Sequence, residues 1–187
     1  NPYLGWNDDA LDVFRAVGFT YDSNEAVLHD VVDVAELPEA LRPGYEKSLA
    51  LFQAIPPSRF AVRPRLEDGL LRLPTSIPDD EMLYDRLRVT DVARLGAIWS
   101  EVLRRVYDLG GIYVLNIHPE RAVLTRDALE ALLDAAEQLP LPVWIAPLRD
   151  IAAWWRERAR FHLTISPAGD QRWQVEATCT DRATILL

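Results

Sequence analysis

The sequence predicts an α/β fold: an incomplete (β/α) barrel followed by the start of an accessory antiparallel β segment. Three observations carry this. Up to about residue 160, short apolar runs alternate with amphipathic helical stretches, which is the pattern of parallel βα units. Only about four such units can be counted, against the roughly eight in about 250 residues of a closed barrel. Beyond Arg160 the spacing of apolar residues switches from helical to alternating. Residues 1–160 are therefore placed in the barrel-like domain and 161–187 in a β-hairpin that begins an accessory domain.

The elements follow in order. Asp8 and Asp9 are expected to cap a short helix whose face carries Leu11, Phe14 and Val17 and which stops at Gly18. Phe19-Thr20-Tyr21-Asp22 reads as a short strand entering a turn at Ser23-Asn24. Residues 25–60 contain prolines at 38, 43, 56 and 57 and read as a long connection with one helix over 46–54. Residues 70–76 form a strand ending in Ile77-Pro78-Asp79-Asp80. The clearest helix is capped by Thr90 or Asp91, carries the stripe Val92, Leu95, Ile98, Trp99, Val102 and Val106, and ends at Gly110-Gly111. The apolar run Ile112-Tyr113-Val114-Leu115-Asn116-Ile117 reads as a buried parallel strand. A helix is expected after Thr125 with Leu129, Leu132, Leu133 and Ala136 on one face. Residues 143–146 read as another strand, and Pro147 opens a helix bearing Ile151, Trp154 and Trp155. Phe161, Leu163 and Ile165, then Trp173, Val175, Ala177 and Cys179, alternate with polar residues around the turn Pro167-Ala168-Gly169-Asp170, an antiparallel hairpin.

Composition narrows the function classes. The 187 residues include 20 Lys+Arg and 29 Asp+Glu, a formal charge of −9. Such a chain repels phosphate backbones and anionic lipid surfaces, so no nucleic-acid partner is expected. No apolar run approaches the ~20 residues of a membrane span. A hydrophobic share of 49% with 26% charged residues excludes wholesale disorder. With Cys179 as its single cysteine, the chain forms no intramolecular disulfide and no Cys-rich zinc site. It starts Asn1-Pro2-Tyr3, has Met82 as its one methionine, and ends on Ile185-Leu186-Leu187. We expect a piece of a longer protein, whose compartment the sequence leaves open.

In parallel α/β folds reactive groups gather at the C-terminal ends of strands. Asp22, the pair Asp79-Asp80, and His118 all fall there, on three different strands. His118 follows an apolar strand and precedes Pro119, which turns the chain out of the sheet. An imidazole so placed can exchange a proton near neutral pH, or simply close a strand end. Asp79-Asp80 can orient a base or bind substrate hydroxyls, or cap the helical segment 81–87. Asp22-Ser23-Asn24 also suits an Asx turn. His29-Asp30 with Asp33 has a loosely metal-like spacing but lacks a second histidine nearby. Trp6 is a candidate sugar-stacking surface, whereas Trp154 and Trp155, adjacent on a helix, point different ways, so at least one packs inward. Phosphate loops, the G-x-G-x-x-G turn, the G-x-S-x-G elbow and H-E-x-x-H are absent.

Pro2-Tyr3, then Gly18-Phe19-Thr20-Tyr21-Asp22-Ser23, then Leu73-Pro74-Thr75-Ser76 with Asp79-Asp80, then Gly111 followed by Leu115-Asn116-Ile117-His118-Pro119-Glu120, form an ordered series. Together with Val143-Trp144 and Trp154-Trp155, it resembles the polysaccharide deacetylase (NodB-homology) family, over residues 1 to about 158. The resemblance implies a distorted (β/α) barrel that removes N-acetyl or related acyl groups from a carbohydrate by metal-dependent hydrolysis. It implies a divalent metal, zinc or similar, held by an Asp and two His of early motifs that this sequence does not contain, so no metal ligand is expected in this chain. It further implies that the Tyr3 backbone N–H holds the oxyanion, that Leu115 lines the acetyl-methyl pocket, and that His118 protonates the leaving amine. Asp22, Asp79, Asp80 and Trp6 are the remaining candidates for contact with substrate. The expected partners are a carbohydrate substrate and the upstream part of the same barrel, covalent or as a separate chain. Taken alone, this chain is expected neither to hold the metal tightly nor to turn over substrate. The alternative reading is a catalytically inactive sugar-binding or structural module on the same scaffold.

Overall fold

A computed structural model describes residues 4–179. The chain forms two compact units, 1–144 and 145–187, so that the last helix belongs with the hairpin. The fold is mixed α/β with small sheets, and no closed barrel is formed among the described residues.

In the first unit, helix α1 (Asp8–Ala16) is capped by Asn7, whose side-chain oxygen accepts from the Ala10 N–H at 2.8 Å. Asp8 and Asp9, expected as caps, sit instead in the first turn, where carboxylates complement the positive end of the helix dipole. Two short strands follow, β1 (Tyr21–Asp22) and β2 (Ala26–Leu28). Helix α2 (Arg42–Leu51) starts four residues earlier than the 46–54 expectation because Pro43 suits its first turn. Strand β3 (Arg65–Glu67) turns through Asp68 (φ +47°) and Gly69 (φ +84°) into β4 (Leu70–Arg72), a two-residue hairpin. The strand expected over 70–76 is interrupted at Pro74, which has no N–H to donate, and resumes as β5 (Thr75–Ile77).

Strand β1 pairs in parallel with β4, and β2 in parallel with β5. Asp22 to Ala26 is four steps, whereas their partners Arg72 to Thr75 are three steps apart, so one extra residue bulges from the first line. The bulge is shaped by the expected Asx turn, with the Asn24 N–H donating to Asp22 Oδ1 at 3.2 Å. On the other side of β5, the Ser76 N–H donates to the Val114 carbonyl at 2.9 Å. The run 112–117 is thus extended beside β5, but it forms no ladder, contrary to expectation. Apolar content fixes burial, with Tyr113, Leu115 and Ile117 packed on the core, but it does not fix the repeated backbone bonding that makes a ladder. The strand expected over 143–146 does not form either: these residues join no ladder among those described.

Helix α3 (Val92–Asp108) matches expectation, with Asp91 accepting from the Ala93 and Arg94 N–H groups, and with Leu95, Ile98, Trp99, Val102 and Val106 buried. Helix α4 (Ala122–Glu137) begins before Thr125, which lies inside it with its hydroxyl donating to the Arg121 carbonyl at 3.0 Å. Its buried face is Thr125, Ala128, Leu132, Ala135 and Ala136, while Leu133 is exposed. A Cβ on Gly96 of α3 would meet Ala131 Cβ at 3.2 Å, so the two helices approach closely there. This pair supplies Leu95, Ile98, Trp99, Leu103, Ala128, Leu132, Ala135 and Ala136 to the core against which the strand ends are set.

Gly111 marks the tightest passage. A Cβ there would lie 2.5 Å from Val62 Cγ2 and 2.7 Å from the Val62 carbonyl oxygen, which accepts from the Ile112 N–H. Gly111→Ala is expected to lower stability by about 1–3 kcal/mol, the usual cost of forcing atoms into a packed site. An unchanged urea midpoint would show that this crossing yields.

The second unit holds α5 (Leu148–Ala159) and the antiparallel strands β6 (His162–Pro167) and β7 (Trp173–Thr178), in the expected hairpin, with Ile165 opposite Val175. Trp154 is exposed, and Trp155 is half-buried with the Arg158 guanidinium 4.9 Å above its ring. No helix among the described residues is long and apolar enough to cross a membrane.

Candidate active site

Three chain segments end on one edge of the parallel sheet: β2 at His29, β5 at Asp79-Asp80, and the extended run 112–117 at His118. His118 opens a short turn, Pro119–Arg121, whose proline fixes the chain's departure from the sheet. The neighbouring carboxylates divide their work. Asp79 Oδ1 accepts from the Met82 N–H at 3.0 Å and so begins the wide turn Met82–Arg86. Asp80 turns to the histidine: its Oδ2 accepts from the His118 backbone N–H and its Oδ1 lies 2.8 Å from His118 Nδ1.

This is the arrangement of an oriented acid or base. Asp80 is fully buried, whereas the His118 side chain keeps 32% exposure. The carboxylate fixes the ring through Nδ1, so proton exchange with a ligand falls to Nε2. The hydrogen bond from Asp80 raises the His118 pKa above its ordinary value, burial opposes this, and the charges of Asp80 and Arg121 then pull in opposite directions. Arg121, which the sequence analysis did not single out, places Nη2 2.6 Å from Asp85 Oδ2 and Nη1 3.6 Å from Asp80 Oδ2. Its signal was present: it stands three residues after His118 across a proline-opened turn, where the chain comes back over itself. Leu115 and Tyr113 pack at the core from the same run, and the Tyr113 hydroxyl is held protonated by burial and by the charge of Asp79.

The other candidates gather elsewhere. Asp22 ends β1, where the chain continues toward β2, and its Oδ2 sits 2.7 Å from Arg72 Nε in a buried ion pair. These two atoms are close but out of line for a directed hydrogen bond. Burial raises the Asp22 pKa and Arg72 opposes it. The Arg72 guanidinium also covers the Trp6 ring at 4.4 Å, and Trp6 offers its carbonyl to Gln53 at 3.1 Å. Asp22, Asp79 and Asp80, expected to touch substrate, are therefore buried and turned to internal partners, and one face of Trp6 is taken by Arg72. Tyr3 lies outside the described residues.

His29 is buried at 1% exposure, and neither ring nitrogen finds a hydrogen-bond partner among the described residues. Burial, aided by the nearby charge of Arg105, lowers its pKa from 6.5 to about 4. Below pH 6.5 the unfolded chain takes up this proton while the folded one does not, so stability falls as pH falls. We expect a loss of about 2 kcal/mol between pH 7 and pH 5. His118, with its raised pKa, contributes in the opposite sense, so the measurement is the difference between wild type and His29→Leu in urea midpoints at the two pH values. Equal slopes for the two proteins would refute the effect. No group of three His, Cys, Asp or Glu among the described residues is placed to hold a metal ion.

Comparison with protein-family models, with curated proteins and with solved structures finds no match to this chain in any of the three.

Proposed function

We propose that this chain carries the proton-donating part of a carbohydrate deacylase, a hydrolase acting on N-acetyl or related amides of a sugar, built on an incomplete distorted (β/α) barrel. The observation that supports this most is the 2.8 Å approach of His118 Nδ1 to the fully buried Asp80 at the carboxyl edge of parallel strands. An amine is a poor leaving group and must be protonated as the C–N bond breaks. An imidazolium held by a carboxylate and still partly exposed is suited to deliver that proton from Nε2. The resemblance stated above gives Leu115 the acetyl methyl and the Tyr3 backbone N–H the oxyanion. In that family a divalent metal polarises the scissile carbonyl, and its ligands come from motifs that this sequence lacks. The polar groups of the present chain supply the other half of the chemistry, with the upstream part of the barrel as the partner that completes the site.

The test is acetate release from an N-acetylated oligosaccharide by the full-length protein with divalent metal supplied. Release that depends on His118 supports the reading. Oligosaccharide binding without release favours a sugar-binding module, and neither binding nor release overturns both.

A further inference from the structure

We propose that Arg121 is a positioning residue of the acid–base pair, gripping the Asp80 carboxylate together with His118 so that the imidazolium gives up its proton more readily than an unopposed His–Asp pair would. This rests on the deacylase reading of that pair. The geometry places Arg121 among three groups. Nη1 is 3.4 Å from His118 Nδ1 and 3.6 Å from Asp80 Oδ2, and Nη2 is 2.6 Å from Asp85 Oδ2. The backbone holds it there: the Arg121 N–H donates to the His118 carbonyl at 2.9 Å, and the Arg121 carbonyl accepts from Thr125 Oγ1. The side chain is 16% exposed, so its charge faces Asp80 through little water.

Charge explains the function. Asp80 and Asp85 carry two negative charges and Arg121 one positive, so a single added proton on His118 brings the group of four to neutrality. A carboxylate facing His118 without Arg121 would hold that proton more strongly and slow its transfer to a leaving amine. Arg121 shares Asp80 and sets a ceiling on that hold, while Asp85 keeps the guanidinium from swinging away.

The experiment is a pH titration of the ring ¹H–¹⁵N signals, which is tractable because the chain has three histidines. Arg121→Met is expected to raise the His118 midpoint by about half a unit to one unit. Arg121→Lys, which keeps the cation, should return it most of the way. An unchanged or lowered His118 midpoint in Arg121→Met overturns the proposal, because a merely structural brace gives that result. If Arg121→Met does not fold, Arg121→Gln is read by the same criterion. Asp80→Asn separates the two levels of the argument. Its midpoint should fall below wild type. If it falls while Arg121→Met stays flat, Arg121 alone loses its role. If it does not fall, the His118–Asp80 pair and the deacylase reading fail together.

Discussion

Replacing His118 with Ala is expected to lower acetate release by the full-length protein about 10²–10⁴-fold, the contribution typical of a positioned proton donor. The loss should sit in kcat more than in KM, because the proton is needed as the C–N bond breaks and not for sugar binding. Asp80→Asn keeps the shape of the side chain but removes the charge that stabilises the imidazolium, so a large fraction of the same loss is expected. Its pH profile adds a signature. A general acid works only while protonated, so activity falls as pH rises through the His118 pKa, which Asp80 raises. Without that carboxylate the alkaline limb should move to lower pH. A His118→Ala protein that releases acetate at the wild-type rate would remove His118 from the chemistry.

His118 was legible because a strand-like apolar run, a histidine and a proline follow one another in the chain, a local pattern. Its partner was not legible as a partner: Asp80 lies 38 residues earlier, and nothing local distinguishes the carboxylate that caps a turn from the one beside it that turns to the imidazole. The same boundary runs through the fold. Asp91 and the stripe from Leu95 to Val106 describe α3 completely, since capping and amphipathic spacing are properties of one segment. The hairpin of β6 and β7 was equally local. Strand β3 is hard to read locally although Asp68-Gly69 is a strong two-residue turn signal, because Arg65 and Glu67 flank Leu66 and give the strand a polar look. Those polar side chains are committed to ion pairs, Arg65 with Glu25 and Glu67 and Glu67 with Arg72, which only the assembled sheet reveals. The run 112–117 failed in the other direction: its apolar content dictates burial and extension, but pairing depends on what the neighbour offers.

The largest stability effect is expected at the buried pair of Arg72 and Asp22, whose side chains keep 2% and 4% exposure. Arg72→Met fits an aliphatic chain of similar length into the site but leaves the Asp22 carboxylate without its cation. Breaking a buried pair from one side costs about 3–5 kcal/mol, a large share of the 5–15 kcal/mol that typically separates folded from unfolded chains. The damage should spread, since Arg72 also reaches Glu67 at 3.3 Å and covers the Trp6 ring, joining the N-terminal segment to the middle of the sheet. Asp22 already has a raised pKa from burial, with Arg72 opposing the rise. Loss of Arg72 pushes that pKa further up, and part of the lost stability should return on mild acidification as the carboxyl protonates. The companion Asp22→Asn/Arg72→Met removes both charges, and it should be more stable than Arg72→Met alone by more than about 1 kcal/mol, because no buried charge is left unpaired. Urea unfolding of the three proteins at neutral pH decides the matter. If Arg72→Met unfolds within about 1 kcal/mol of wild type, or if the double variant is no better than the single, then the 2.7 Å approach of these side chains carries little energy, and the join between Trp6 and the sheet rests on apolar packing instead.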